Sequence, residues 1–90
     1  MAVVERVARI VNPLGLHARP AAEFVKIASG FTSEISVSKD ETLVNGKSIL
    51  GVMMLAAECG SSILIRARGP DAEDAVAALA ELVASGFGEA

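Results

Sequence analysis

The amino-acid sequence predicts an α+β fold in which helices pack on one face of an antiparallel sheet. Some segments alternate apolar and polar residues with a period of two, whereas others repeat apolar residues at steps of three and four. These segments follow in the order strand, helix, strand, strand, helix, strand, helix, with turn residues between them. The alternating segments keep one polar face, as strands do in an antiparallel sheet with one face packed on a core.

The first half of the chain reads as a strand, a helix and a hairpin. Residues 4–11, VERVARIV, are rich in Val and Ile and end at an Asn-Pro turn signal. From Ala18 the period changes to that of a helix, which stops at Gly30. The predicted apolar face of this helix comprises Ala18, Ala21, Ala22, Val25 and Ala28. The segments EISVSK and ETLVNG then predict two short strands joined by a hairpin across Lys39 and Asp40.

The second half predicts a short helix, a strand and a final helix. The segment SSILIRARG alternates, so that Ile63, Ile65 and Ala67 share one buried face. The final helix begins at Asp71, whose side chain can cap the first amides, and Gly86 terminates it. Its predicted buried stripe comprises Ala75, Val76, Leu79, Leu82 and Val83.

The composition supports one small folded domain over residues 1–90. Hydrophobic residues make up 52% of the chain at a net charge of −3, which is typical of globular proteins. No cluster of Lys or Arg indicates nucleic-acid binding, and no apolar run is long enough for membrane insertion. Cys59 is the only cysteine, which suits a reducing compartment, and the first residues lack the layout of a signal peptide. We therefore expect a cytoplasmic protein.

His17 is the only histidine, and it lies where a loop enters the first helix. Taken alone, one histidine is most often structural or solvated. The sequence has no second His to support a metal site. It also has no nucleophile-elbow motif to support a Ser-His-Asp triad. The first amides of a helix, however, have no intrahelical partner and attract anions. Arg19 adds a planar, permanently charged group suited to phosphate oxygens, and Pro20 helps to fix the backbone. The helix terminus and the guanidinium also favour the neutral imidazole, which is the form that can attack phosphorus.

Two motifs, GLHARPAAEFV and NGKSILGVMMLAA, resemble those of the phosphocarrier family HPr of the bacterial phosphoenolpyruvate-dependent sugar phosphotransferase system. The chain length and the order of elements resemble that family too. The resemblance implies an open-faced β-sandwich with a four-stranded antiparallel sheet and three helices, in the order βαββαβα. It also implies a monomer that is a substrate of other enzymes more than an enzyme itself. We expect neither a cofactor nor a metal ion.

The resemblance assigns roles to named residues. His17 would accept a phosphoryl group on Nδ1 from phosphorylated enzyme I and pass it to enzyme IIA domains in sugar uptake, and Arg19 would stabilise that group. Ser48 matches a regulatory serine, which implies an HPr kinase/phosphorylase and a transcriptional regulator as further partners. From the residues alone, Ser48 is equally well explained as a helix N-cap.

The segment SILGVMMLAA predicts a helix with apolar residues on nearly every side. If Val52, Leu55 and Ala56 face the core, then Leu50 and Met53 project outward with Ile49 at the edge. Methionine suits a surface that docks several partners, although it can also fill a gap in a small core. Because similar proteins dock through this helix, we expect Ile49, Leu50 and Met53 to bind partners.

Two other functions remain open at this point. The carrier of the nitrogen-related branch of the same family shares the histidine motif. A non-catalytic module could bind a regulator through the same helix. The family also has a regulatory relative that lacks the histidine, and the presence of His17 argues against that type. Phosphoryl transfer would separate the carriers from the module.

Overall fold

The computed structural model describes residues 2–89 and shows a four-stranded antiparallel sheet with helices packed on one face. The strands are β1 (Val3–Arg9), β2 (Glu34–Lys39), β3 (Thr42–Asn45) and β4 (Ser62–Arg68). The helices are α1 (Ala18–Ala28), α2 (Ile49–Met54) and α3 (Ala72–Ala84), and a short 3-10 helix follows at Gly86–Gly88. The strands lie in the order β1-β4-β2-β3. The predicted open-faced sandwich of α+β class is therefore confirmed.

One face of the sheet is buried and the other is exposed, as the alternation predicts. Ile35 pairs with Ala67, and Val37 pairs with Ile65, so the register brings the apolar residues of β2 and β4 together on the helix side. All four are buried, together with Ile63. On the other face, Val7 of β1 and Leu43 of β3 remain exposed. Because β4 pairs with both β1 and β2, it lies inside the sheet while β1 and β3 form its edges.

Helix α1 buries a face that matches the predicted one only in part, with Val25 partly buried against the core. Ala21 and Ala28 are buried as expected, but Ala18 and Ala22 are exposed. Phe24 takes their place and is completely buried. A large side chain removes more apolar surface from water than an alanine does, so the helix is rotated to place Phe24 at the centre of its contact.

Helix α2 ends earlier than the apolar pattern predicts. Val52 and Leu55 are buried as expected, but Ala56 is exposed and adopts a φ of 50°. The helix stops at Met54, so Ala56 lies beyond the helix and the next residue, Ala57, returns to the core. Helical spacing therefore does not apply beyond Leu55.

Helix α3 buries its predicted stripe, with Leu82 only partly buried, but its N-cap behaves differently from the prediction. Asp71 stands at the cap position without a side-chain hydrogen bond to the helix. Its Oδ2 accepts from Thr32 N at 2.9 Å and from Thr32 Oγ1 at 3.0 Å, and its Oδ1 accepts from the backbone N–H and the hydroxyl of Ser33. Asp71 therefore joins the start of α3 to the α1–β2 connection.

Within residues 2–89, no helix has the length and apolar character needed to cross a membrane.

Candidate functional site at the start of helix α1

The loop that presents His17 is fastened to the segment before β4. Ile10 N donates to Ser61 O at 2.8 Å, and Leu16 N donates to Ala57 O at 2.8 Å. Gly15 has a φ of +65°, and a Cβ at this position would overlap Ala57 O. A side chain at Gly15 would therefore separate the loop from this segment. The position of His17 is set by a close backbone contact that only glycine permits.

His17 is the N-cap residue of α1. Its backbone is extended, with φ −75° and ψ −174°, and its side chain makes no capping hydrogen bond. Its carbonyl accepts from Ala21 N at 3.0 Å, which closes the first turn. Pro20 has no N–H, and within residues 2–89 the amides of Ala18 and Arg19 donate to no backbone carbonyl. His17 thus lies at a helix start that has two backbone donors without a backbone partner.

The imidazole contacts a carboxylate that the sequence analysis did not identify. His17 Nε2 lies 2.9 Å from Glu89 Oε2 and 3.1 Å from Oε1. The His17 side chain is 35% exposed and that of Glu89 is 21% exposed. The ring is therefore held on one side by a protein group while remaining accessible to a partner.

Asn12 holds the carboxylate in place. Its Nδ2 donates to Glu89 Oε1 at 2.9 Å and to Gly15 O at 2.8 Å. Asn12 is almost completely buried, and its Oδ1 has no partner among the described residues. Both partners of Nδ2 are oxygens that can only accept here, so the orientation of this amide follows from their chemistry.

Hydrogen bonds from His17 and Asn12 lower the pKa of the Glu89 carboxyl below its ordinary value of 4.5, and the charge of Arg19, together with that of His17 when its ring is protonated, acts in the same direction. Glu89 is consequently ionised near neutral pH and accepts hydrogen bonds without donating any. It places a negative charge on the Nε2 side of the ring.

Backbone geometry after α3 returns the chain to His17. Gly86, Phe87 and Gly88 have φ values of 68°, 57° and 71°. Such left-handed residues favour glycine and make Phe87 an uncommon case. Phe87 is partly buried against the core, so it anchors the turn that delivers Glu89. Sequence reasoning missed this contact because it joins residues 72 positions apart.

Arg19 lies exposed on the first turn of α1. Within residues 2–89 its guanidinium takes part in no hydrogen bond or ion pair with another side chain. Its charge reaches Glu89, as the pKa of that carboxyl shows. The guanidinium is thus close to the site and available to an incoming anion.

Ser48 and the predicted docking residues lie on α2, which packs beside α1. Ser48 is the N-cap of α2, and its Oγ accepts from Gly51 N at 3.1 Å. The apolar residues Ile49, Leu50, Met53 and Met54 are all exposed, and we call them the α2 patch. Leu50 and Met54 are the most open, at 70% and 67%. Met54 was not among the predicted docking residues, and neither was Leu14 of the His17 loop, which is also exposed.

Comparison with known proteins identifies the family. The model of the family PTS-HPr, described as the PTS HPr component phosphorylation site, matches residues 4–85. The chain belongs to the HPr phosphocarrier family of the phosphotransferase system. The HPr of Cupriavidus necator is 44% identical over 87 residues, which cover 97% of this chain and 98% of the relative.

Two crystal structures of HPr from Thermoanaerobacter tengcongensis share this fold. One, described as HPr-C-His, has a TM-score of 0.92 at 48% identity and covers 97% of this chain and 98% of its own. The other, described as an HPr dimer, has a TM-score of 0.77 at 51% identity and covers 90% of this chain and 93% of its own. The matched family region includes His17, Arg19, Ser48 and the α2 patch. Within residues 2–89, no three His, Cys, Asp or Glu side chains are grouped so that they could hold a metal ion.

Proposed function

We propose that this protein, acting as one phosphocarrier domain in the cytoplasm, accepts a phosphoryl group from phosphorylated enzyme I on His17 and passes it to enzyme IIA domains. The observation that carries the proposal is the placement of the partly exposed His17 ring at the N-terminus of α1. The free amides of Ala18 and Arg19 and the Arg19 guanidinium are donors suited to phosphoryl oxygens.

The α2 patch is the proposed docking surface for both partners. It lies on the helix beside α1, so a protein that covers it also comes close to His17. Its exposed methionines can repack against partners of different shape. We propose that the carrier works as a monomer, because docking on this patch requires it to be free.

We also propose that Ser48 is a regulatory phosphorylation site for an HPr kinase/phosphorylase, with a transcriptional regulator as a reader of the modified protein. Ser48 is partly exposed and precedes Ile49 and Leu50 of the α2 patch directly. A phosphate there would add about −1.5 to −2 charges at the edge of the docking surface.

The first prediction is that His17→Ala abolishes labelling by enzyme I and phosphoenolpyruvate while the fold is retained. The ring contacts Glu89 but contributes nothing to the apolar core, so its loss leaves core packing unchanged. Labelling is measured by intact mass and by the acid lability and alkali stability of the phosphate, and folding is measured by circular dichroism.

An acid-labile phosphate on the His17→Ala variant would contradict the proposal. If the unmodified protein itself takes no phosphate from active enzyme I but binds a regulator, it is the non-catalytic module instead. If it accepts phosphate only from the enzyme I of the nitrogen-related branch, the role in sugar uptake that the sequence resemblance implies is wrong.

A further inference from the structure

We infer that Glu89, held by Asn12, is a positioning residue that selects which nitrogen of His17 receives the phosphoryl group. This inference rests on the proposed function of His17. It assigns a role to a carboxylate that lies far from the histidine motif in the sequence and meets the ring only through the turn at Gly86–Gly88.

The selection follows from what each group can donate. An ionised carboxylate can only accept, so the hydrogen between Glu89 and the ring belongs to His17 Nε2. A neutral imidazole with its hydrogen on Nε2 has its lone pair on Nδ1. Glu89 therefore leaves Nδ1 as the nucleophilic nitrogen and occupies the other nitrogen.

Asn12 keeps the carboxylate in this role. Its two Nδ2 hydrogens go to Gly15 O and Glu89 Oε1, and the Gly15 carbonyl fixes the direction of the amide. Oε1 is consequently shared with Asn12, while Oε2 is the oxygen closest to His17 Nε2. A buried amide that donates two hydrogen bonds in this way orients the carboxylate that it contacts.

The same arrangement matches the charge that develops during transfer. The Nδ1 lone pair forms the bond to phosphorus while the bond from phosphorus to the donor group of enzyme I breaks, and its electron pair stays with that donor. Because Nε2 keeps its hydrogen, the phosphorylated ring carries a positive charge. The Glu89 carboxylate faces that charge, whereas a neutral side chain would not stabilise it. In the reverse step the ring leaves as neutral imidazole.

The decisive variant is Glu89→Gln, because Asn12 dictates how the new amide lies. The Gln oxygen must face Asn12 Nδ2, so its NH₂ group takes the place of Oε2 and points at His17 Nε2. Nε2 lies nearer to the Oε2 position, at 2.9 Å, than to the Oε1 position, at 3.1 Å, so the NH₂ group is the closer neighbour and favours a lone pair on Nε2 with the ring hydrogen on Nδ1. We expect enzyme I to label Glu89→Gln more slowly than Glu89→Ala, because the alanine removes the carboxylate without fixing the wrong tautomer.

The experiment has two readouts on the full chain. The ¹⁵N chemical shifts of the His17 ring, measured without phosphorylation at a pH where the imidazole is neutral, report the tautomer. The initial rate of labelling by enzyme I and phosphoenolpyruvate reports transfer. The variants are Glu89→Gln, Glu89→Ala and Asn12→Ala, with Glu41→Gln as a control at an exposed position of the β2–β3 hairpin.

We expect the unmodified protein and Glu41→Gln to hold hydrogen on Nε2 and Glu89→Gln to shift it to Nδ1. The labelling rate should fall by about tenfold or more in Glu89→Gln, by analogy with the loss that follows removal of partners that orient metal-binding histidines. The labelling rates of Glu89→Ala and Asn12→Ala should lie between those of the unmodified protein and Glu89→Gln. A Glu89→Gln variant with the tautomer and rate of the unmodified protein would overturn the inference. If no protein in the series is labelled, the proposed function fails, while the ring shifts still decide the role of Glu89.

Discussion

The chemistry of His17 depends on two kinds of group near the ring, one negative and one positive. The Nε2 side faces the Glu89 carboxylate, and the helix N-terminus with Arg19 supplies positive potential for an anion. The arrangement resembles the way a catalytic triad orients its histidine with a carboxylate, except that here the imidazole itself is the nucleophile. A substitution of Arg19 therefore tests this arrangement most directly.

Arg19→Lys should slow phosphorylation several-fold without abolishing it. Lysine keeps the charge but loses the planar fork that can contact two phosphoryl oxygens at once. Stability should not change, because the Arg19 side chain has no side-chain partner among the described residues. The measurement is the initial labelling rate at several salt concentrations. A rate equal to that of the unmodified protein would show that Arg19 is only a solvated helix residue.

The candidate site could be predicted from the sequence only where it is local. His17, Arg19 and Pro20 lie within four positions, so the helix start that joins them is visible as a motif. Glu89 reaches His17 and Asn12 only through the turn after α3, which depends on three left-handed residues in succession. Sequence patterns report periodicity and turn chemistry, but they do not report where a turn delivers a side chain.

At the scale of one element, α2 combines a structural and a proposed regulatory role in Ser48. The helix has six residues, too few to be stable without its cap and its contacts with the rest of the fold. Its apolar character on nearly every side was predictable, whereas its end at Met54 was not, because the apolar run continues through Ala57. The same Ser48 Oγ that accepts from Gly51 N would carry the phosphate.

Substitutions at Ser48 should separate these roles. Ser48→Ala removes the cap, so it should lower the free energy of unfolding by about 1 kcal/mol while labelling by enzyme I continues at the normal rate. Ser48→Asp retains an N-cap acceptor, so its melting temperature should be close to that of the unmodified protein. Its charge beside Ile49 and Leu50, however, must be desolvated when a partner docks. We expect slow labelling of this variant. Ser36→Asp adds the same charge on the opposite face of the sheet and serves as the control. If Ser48→Asp is labelled as fast as Ser36→Asp, Ser48 has only its structural role.

At the scale of the whole molecule, Asp71 joins distant parts of the chain. Its carboxylate accepts four hydrogen bonds from Thr32 and Ser33, nearly 40 positions earlier (the separations are 39 and 38), and so fastens the start of α3 to the entry of β2. Gly69 makes this approach possible, because a Cβ there would lie 2.6 Å from Ser33 Oγ. The sequence correctly places Asp71 at a helix N-cap, but it does not reveal that the side chain turns away from the helix. Its donors belong to a segment that only the tertiary fold brings near.

The last prediction concerns the pH dependence of stability. The hydrogen bonds from Ser33 and Thr32 hold the pKa of Asp71 well below its ordinary value of 3.8, so the folded state binds this proton less readily than the unfolded chain does. The contribution is therefore fully present above about pH 4 and is lost as the pH falls below 3.8 towards the folded-state pKa. Asp71→Asn should unfold at lower urea concentration than the unmodified protein at pH 7, and the difference should shrink steadily between pH 4 and the acid limit of the measurement. Asp74→Asn, an exposed carboxylate in the same first turn of α3, is the matched control. A difference between Asp71→Asn and the unmodified protein that stays constant down to pH 2 would show that the ionised carboxylate is not what holds the start of α3 to the Thr32–Ser33 segment.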